Sequence, residues 1–467
     1  MRILEILIVL FDIPILVFGI ANRHWPVWMN GSLVLALAAF LVHAVLEGVR
    51  WQMIPAYLVC GGLGIYCLTD LSNRNHLNLA ASILAMTLLS SSAVLAIMLP
   101  VFSLPAPDGS YAIGTVTRRW TRNAVEASGQ PSSRILTVQF WYPTEVRKGK
   151  RSLYRTEDAE GLKSHLRLVE THSLVGVPIS AKKFPVVLYS PGWQGHLTQN
   201  TVQLEMLASH GYVVLSIMHP PDNHVPVTFD PSLDANLREY SVEVRRRADD
   251  VVFLANEIQK LNRNDRESLF TGHLDMSRLG IMGFSFGGAV AAETCWLDVR
   301  FKAGINMDGM LFGEAADAGV QQPFFFMSDD TPAPSEAATR SADSRMQTYL
   351  RALDTDAKRI ENSLAHHGGY YFTIRGQGHS NFSDQPLYSP FRRITGAGSV
   401  DAKRSSRILN EYILAFFEQY LNGRPQSFLS RQPSDYPEVV FRHEPAPSSA
   451  SEEQGSGSLS PLSRLHP

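Results

Sequence analysis

Cysteine is nearly missing from this chain, with three in 467 residues and two of those inside one apolar segment. So few supply neither a disulfide framework nor paired zinc ligands, and they leave the redox compartment unread. A surplus of charge is missing as well. The 42 Lys and Arg against 44 Asp and Glu give a formal net charge of −2, and no basic stripe interleaved with aromatics is present, so no nucleic-acid partner is expected. Internal repeats are absent too. What remains is length and apolarity: 45% hydrophobic and 18% charged residues suit a large core together with membrane segments.

The apolar content is concentrated at the N-terminus, in Ile3 to Ala21, Leu33 to Leu46, Met53 to Leu71 and Leu77 to Phe102. Most of these stretches approach the roughly 20 residues that cross a bilayer. Short polar loops separate them, and Trp25, Trp28 and Trp51 fall where aromatic side chains favour the interface. A cleaved signal peptide does not explain four such stretches. The expectation is a transmembrane domain of about four helices over 1–104. Arg2 and Arg50 fall at one end and Arg23 and Arg74 at the other, while Arg118, Arg119 and Arg122 lie at the edge of the rule's reach, so sidedness stays open. Asp12, ahead of Pro14, calls either for a polar contact inside the bundle, with His43 a candidate, or for an irregular helix that carries it to water. Cys60 and Cys67 share a helix face and suit packing.

Beyond Pro105, Pro107 and Gly109 the text changes to that of an α/β domain, expected over 105–442. A strand is expected at Arg134 to Tyr142. Further apolar runs at Phe184 to Ser190, Tyr212 to Ile217, Leu279 to Met282, Ala303 to Met307, Phe324 to Met327 and Tyr370 to Ile374 suit strands buried on both faces. Helical patterns at Thr201 to His210, Leu237 to Leu261, Phe286 to Trp296 and Arg407 to Leu421 alternate with them. Such alternation predicts a mainly parallel sheet with helices on both faces. Residues 443–467, rich in Ser, Pro, Gly and Glu, are expected to be a disordered tail.

Gly283-Phe284-Ser285-Phe286-Gly287-Gly288 stands between an apolar strand and a small-residue helix, the setting of a nucleophile elbow. A serine needs a histidine to take its proton and an acid to orient that histidine, and in such folds both follow the serine in the chain. His379, after the last apolar strand, is the candidate base; His366, His367, His219 and His224 are less well placed. Asp308 ends the strand after the elbow helix, while Asp329 and Asp330 end the next one, and spacing alone does not choose between Asp308 and Asp330. Two oxyanion donors are expected, the Phe286 N–H and an N–H of the loop Ser190 to Gly195. Trp193 is the candidate there, because Pro191 has no N–H.

Arg278 through Ala289 together with Arg300 through Gly309 resembles the nucleophile and acid region of the platelet-activating factor acetylhydrolases of plasma and intracellular type II. Gly378 through Asp384 is similar to that family's histidine loop, and Leu207 through Val214 to its early helix and strand. The resemblance spans roughly Pro105 to Leu421. It implies an α/β-hydrolase fold, Asp308 rather than Asp330 as the acid, and His379 as the base. The serine-to-acid interval, 308 − 285 = 23, fits. Two departures stand out: Pro191-Gly192 replaces the family's common His-Gly, and bulky Trp193 replaces a frequent leucine.

These readings converge on an expected membrane-anchored serine esterase or lipase that needs no metal or cofactor. Its partners would be a bilayer and a lipid or small ester, and the resemblance implies phospholipids with a short or oxidised sn-2 acyl chain. A general carboxylesterase or polyester hydrolase is the alternative, and a non-catalytic membrane receptor is the rival from another class. Thr144 to Lys163 and Pro220 to Asp234 are positioned to shape a substrate entrance. Oligomeric state is not legible.

Overall fold

A computed structural model describes residues 1–21, 28–69, 79–125, 131–155, 159–220, 233–332, 335–430 and 435–447. Arg23, Trp25, Arg74, His224, most of the Pro220 to Asp234 loop and 448–467 of the expected tail lie outside the described residues.

Four helices open the chain: α1 (Ile3–Ile20), α2 (Trp28–Leu46), α3 (Ile54–Thr69) and α4 (Leu79–Met98). Their outer faces carry exposed Leu35, Val45, Leu58, Ile83 and Leu84, while Asp12, His43, Ser82 and Ser92 are buried. The interior is mainly apolar as well, with Ile15, Leu16, Leu33 and Leu89 in one cluster. Apolar side chains thus occupy both the inside and the outer faces, unlike the single apolar stripe on each helix of a water-soluble bundle. By length and apolarity α2 and α4 suffice to cross a membrane, among the described residues. Asp12 is buried but does not meet His43. Its carboxylate has no hydrogen-bond partner among the described residues, because His43 is taken by Glu47 at 2.9 Å and Tyr57 at 2.6 Å.

One end of this bundle is tied by charge. The Arg50 guanidinium grips both carboxylate oxygens of Glu5, at 2.7 and 2.6 Å, and donates to Leu99 O at 2.8 Å. Arg2 adds a bond to Gly48 O at 2.8 Å. This end meets the rest of the chain, for Trp51 Nε1 donates to Leu162 O at 3.2 Å.

The α/β part is an eleven-stranded mixed sheet: β1 (Ala112–Val125), β2 (Pro131–Thr144), β3 (Arg151–Leu153), β4 (Glu170–Val175), β5 (Phe184–Ser190), β6 (Val213–Met218), β7 (Leu274–Phe284), β8 (Phe301–Met307), β9 (Phe324–Ser328), β10 (Gly369–Ile374) and β11 (Val439–Glu444). Across the sheet the order is β11-β10-β9-β8-β7-β5-β6-β2-β1-β4-β3. From β6 to β10 the neighbours run parallel, whereas β2, β11 and β3 pair antiparallel with their inner neighbours. The expected parallel core is present, with antiparallel strands added on both sides of it. The last strand straddles the boundary expected at 442.

Period-two alternation divides the core between the faces. Val186, Leu188, Phe324 and Phe326 join the cluster under α6 (Leu233–Arg263) and α7 (Phe286–Leu297). Val187, Tyr189, Phe325 and Met327 join the cluster under α5 (Thr201–Ser209) and the helix Ala402–Tyr420. Helices therefore cover both faces, and the C-terminal ends of β5, β7, β8, β9 and β10 are left to carry loops, where open α/β sheets place their sites.

Candidate active site

Ser285 follows β7 directly and opens α7 with φ 54° and ψ −126°, a conformation that L-residues rarely adopt. The turn survives only because its neighbours are glycines. A Cβ on Gly283 would lie 1.8 Å from Gly287 O, and one on Gly287 would lie 2.0 Å from Ser190 O. Ser285 N–H donates across to Met307 O at 2.8 Å, so β8 fixes the corner from the side.

Asp308, at the end of β8, also takes a left-handed φ of 58°. Its N–H donates to Met327 O at 2.7 Å, and its Oδ1 accepts the Asp329 N–H at 2.8 Å. Asn306 pins this turn from both sides: its Oδ1 accepts the Gly309 N–H at 2.8 Å and its Nδ2 donates to Gly309 O at 2.7 Å. Nothing in the sequence reading marked Asn306, although Asn two residues before Asp-Gly is a turn signal.

His379 Nδ1 lies 2.6 Å from Asp308 Oδ2, and its ring packs on Phe284 with centroids 4.8 Å apart. Burial by itself would lower this histidine, but the Asp308 hydrogen bond and charge, with Asp329 behind them, outweigh it and raise the pKa above its ordinary value. Ser285, Asp308 and His379 line one cavity of about 380 Å³. Among the described residues no hydrogen bond joins Ser285 to His379, whose Nδ1 is on Asp308, as is common before substrate tightens such a site.

The other sequence candidates are placed elsewhere. Asp330 accepts the Gly376 N–H at 2.7 Å and so braces the loop that carries His379. Asp329 lines the cavity, but its carboxylate is taken by Thr331, at 2.7 Å to the hydroxyl and 3.0 Å to the N–H. Burial first and the Asp308 charge second raise its pKa. His366 bonds Asn362 O and His367 bonds Ala318 O, both on the protein surface. His219 is buried behind the loop that follows β5. Of the two segments expected to shape an entrance, no described residue of 144–163 lines the cavity.

For the oxyanion, Phe286 is the first residue of α7, and helix geometry leaves its N–H without an intrahelical acceptor. A Cβ on Gly192 would touch Ser285 Cβ at 3.3 Å, so the loop after β5 lies against the nucleophile corner. The Gly192 N–H is spent on Gln199 Oε1 at 2.9 Å, while the Trp193 N–H makes no hydrogen bond among the described residues. The Trp193 ring lines the cavity, edge-on to Phe286 at 4.9 Å.

Sequence reading missed one whole wall. Tyr349, Leu353 and Asp356 reach the cavity from the helix Ser344–His367, which was not anticipated. Asp356 accepts the Leu311 N–H at 2.6 Å, and burial pushes its carboxyl up to about 7.

Residues 256–428, which hold all three clustered residues, match the family model described as platelet-activating factor acetylhydrolase, isoform II. The chain resembles the platelet-activating factor acetylhydrolases. It is 27% identical over 285 residues to a probable 1-alkyl-2-acetylglycerophosphocholine esterase of Arthroderma benhamiae, covering 55% of this chain and 66% of that one. With the platelet-activating factor acetylhydrolase of Cavia porcellus it shares 23% identity over 277 residues, covering 52% and 58%. The match thus spans about three-fifths of the length of these relatives. A ferulic acid esterase from Streptomyces cinnamoneus superposes with a TM-score of 0.55 at 26% identity, covering 73% of this chain and 99% of its own. That neighbour and the mixed sheet make this an α/β-hydrolase-like fold.

Proposed function

We propose that this protein is a membrane-anchored serine esterase. Ser285 attacks an ester carbonyl, His379 takes the Ser285 proton and passes it to the leaving alcohol, and Asp308 holds the His379 tautomer and balances its charge. Phe286 and Trp193 donate their N–H groups to the tetrahedral oxyanion. Water, activated by His379, then releases the acid from the acyl-enzyme. The carrying observation is the 2.6 Å contact of His379 Nδ1 with Asp308, in one cavity with a serine at a strained, glycine-flanked corner.

The finer reading is a phospholipid with a short or oxidised sn-2 chain, delivered from the bilayer in which residues 1–104 sit. It is supported by the names of the curated relatives and by the apolar outer face of the helices. The second reading, a general carboxylesterase, is favoured by the likeness to a ferulic acid esterase along nearly all of that enzyme.

The test is turnover by purified protein in detergent, wild type against Ser285→Ala, on a short-chain sn-2 phospholipid and on a matched simple ester. Loss of the nucleophile is expected to lower kcat by about 10⁴-fold or more. Preference for the simple ester would replace the phospholipid reading with the general one. Equal rates for wild type and a well-folded Ser285→Ala on both would overturn the esterase.

A further inference from the structure

A second serine, histidine and aspartate meet behind the loop that follows β5. Ser190 Oγ lies 3.1 Å from His219 Nε2, and His219 Nδ1 lies 3.2 Å from Asp250 Oδ2 on α6. Asp250 also receives Arg134 from β2 at 2.7 Å and Arg122 from β1 at 2.8 Å. Ser190 and Asp250 are fully buried, and none of the three lines the cavity. An ester cannot reach Ser190, so the constellation is no second nucleophile.

The protons in this relay have one arrangement. Burial works against an ionised Asp250, but hydrogen bonds from His219 and Arg134 outweigh it and hold the carboxyl well below its usual range. Burial, above all, brings His219 down to about 4, which leaves the imidazole neutral. Its single N–H faces the carboxylate, since an ionised carboxylate can only accept. Nε2 therefore accepts, and the Ser190 hydroxyl donates to it.

What Ser190 holds is the start of the oxyanion loop. The first turn of α7 rests on its carbonyl oxygen, where a Cβ on Gly287 would stand 2.0 Å away. Four residues on, Gln194 takes a left-handed φ of 52°, a conformation that needs support from its surroundings. Helix α6 grips the loop a second time, because the Arg247 guanidinium lies 4.9 Å over the Trp193 ring and is fixed by Glu243 at 2.6 Å.

We propose that Ser190 and His219, backed by Asp250, are positioning residues that set the loop 190–195 so that the Trp193 N–H meets the developing oxyanion. The proposal rests on the esterase reading. A donor felt mainly in the transition state lowers kcat when it is misplaced and leaves KM nearly alone. Ser190→Ala is therefore expected to lose about 10- to 100-fold in kcat with KM within about twofold. His219→Leu is expected to match it, and the double variant to be no worse than either, since one relay is broken once. His219→Gln, which offers Ser190 an acceptor near the Nε2 position, is expected to regain most of the rate.

Hydrogen exchange of peptides covering 190–195 supplies a readout that needs no turnover. Ser190→Ala is expected to speed exchange there and to leave the β8 peptide unchanged. A Ser190→Ala protein with wild-type kcat, or with unchanged exchange in the loop, overturns the proposal, as does a rate loss that His219→Gln does not relieve. If the wild type has no Ser285-dependent turnover, the esterase reading fails by itself, and the exchange experiment still decides whether the relay holds the loop.

Discussion

His379 is pulled in two directions, and the balance sets a measurable pH limb. Partial burial favours the neutral ring, while Asp308 and Asp329 favour the cation and prevail. A general base works only when deprotonated, so kcat/KM is expected to rise through a pKa above the ordinary histidine value of roughly 6.5. Asp308→Asn removes the largest influence that raises it. The acid limb of that variant is then expected to move to lower pH while kcat falls by about 10⁴-fold, the size seen when an orienting carboxylate is neutralised and the tautomer is lost. A pH–rate profile of both proteins is the check. An acid limb that stays in place after Asp308→Asn would remove Asp308 from its role.

At the scale of elements, the helix Ser344–His367 brings a cost to the site that it walls. Asp356 holds its proton to about 7 in the folded chain, against roughly 3.9 when exposed. The folded state therefore binds more protons than the unfolded state between those values, and stability falls as pH rises through that window. Asp356→Asn keeps an oxygen for the Leu311 N–H and removes the titration. It is expected to be more stable than the wild type at pH 8, by about 1–4 kcal/mol, and nearly equal to it at pH 4. Thermal melts of the two proteins at both pH values measure this, and equal melting differences at the two would sink it. The same helix shows why part of the architecture was illegible. Strands β5, β6, β8 and β9 and the end of β7 announce themselves because burial on both faces makes them continuous apolar runs. Strand β10, expected to be the same, instead alternates buried and half-buried residues at the start of the antiparallel edge. The helix Ser344–His367 is mostly polar, buries only Thr348, Ala352, Ile360, Ser363 and Leu364, and so lacks a wide apolar stripe. Strand β1 hides for a related reason: Arg118 and Arg122 lie among its residues, satisfied by Asp265 and Asp250 far along the chain. Ser285 and His379 are legible from motif and chain order, whereas Asp308 and Asp330 end neighbouring strands and only the family resemblance favours Asp308. Ser190 and Asp356 act through contacts that only the folded chain brings together, to His219 and Leu311, whereas Asn306 bonds Gly309 within its own turn.

The whole molecule couples its two parts through a continuous set of contacts. Phe102, at the exit from the bundle, stacks on Tyr388 at 5.6 Å and meets Tyr154 edge-on at 5.4 Å. The Tyr154 hydroxyl donates to Asp384 Oδ2 at 3.2 Å, and the Asp384 N–H donates to Gln199 O at 3.0 Å. Gln199 in turn holds Gly192, and Asp384 closes the loop that begins at His379, so the bundle exit is linked to both sides of the cavity. This arrangement fixes a topological expectation. Arg2 is bound to Gly48 O, and a Cβ on Gly48 would lie 2.9 Å from the Leu168 side chain. Met1, the α2–α3 turn and the catalytic part therefore share one side of the bundle. If the apolar faces of the helices lie in lipid, alkaline carbonate leaves the protein in the membrane fraction. Protease added to sealed vesicles then cuts an N-terminal tag and the catalytic part from the same face. Release by carbonate would remove the membrane reading. Cleavage of the tag and of the catalytic part from opposite faces would mean an odd number of crossings, which is incompatible with the Arg2, Glu5 and Arg50 cluster sitting at the junction.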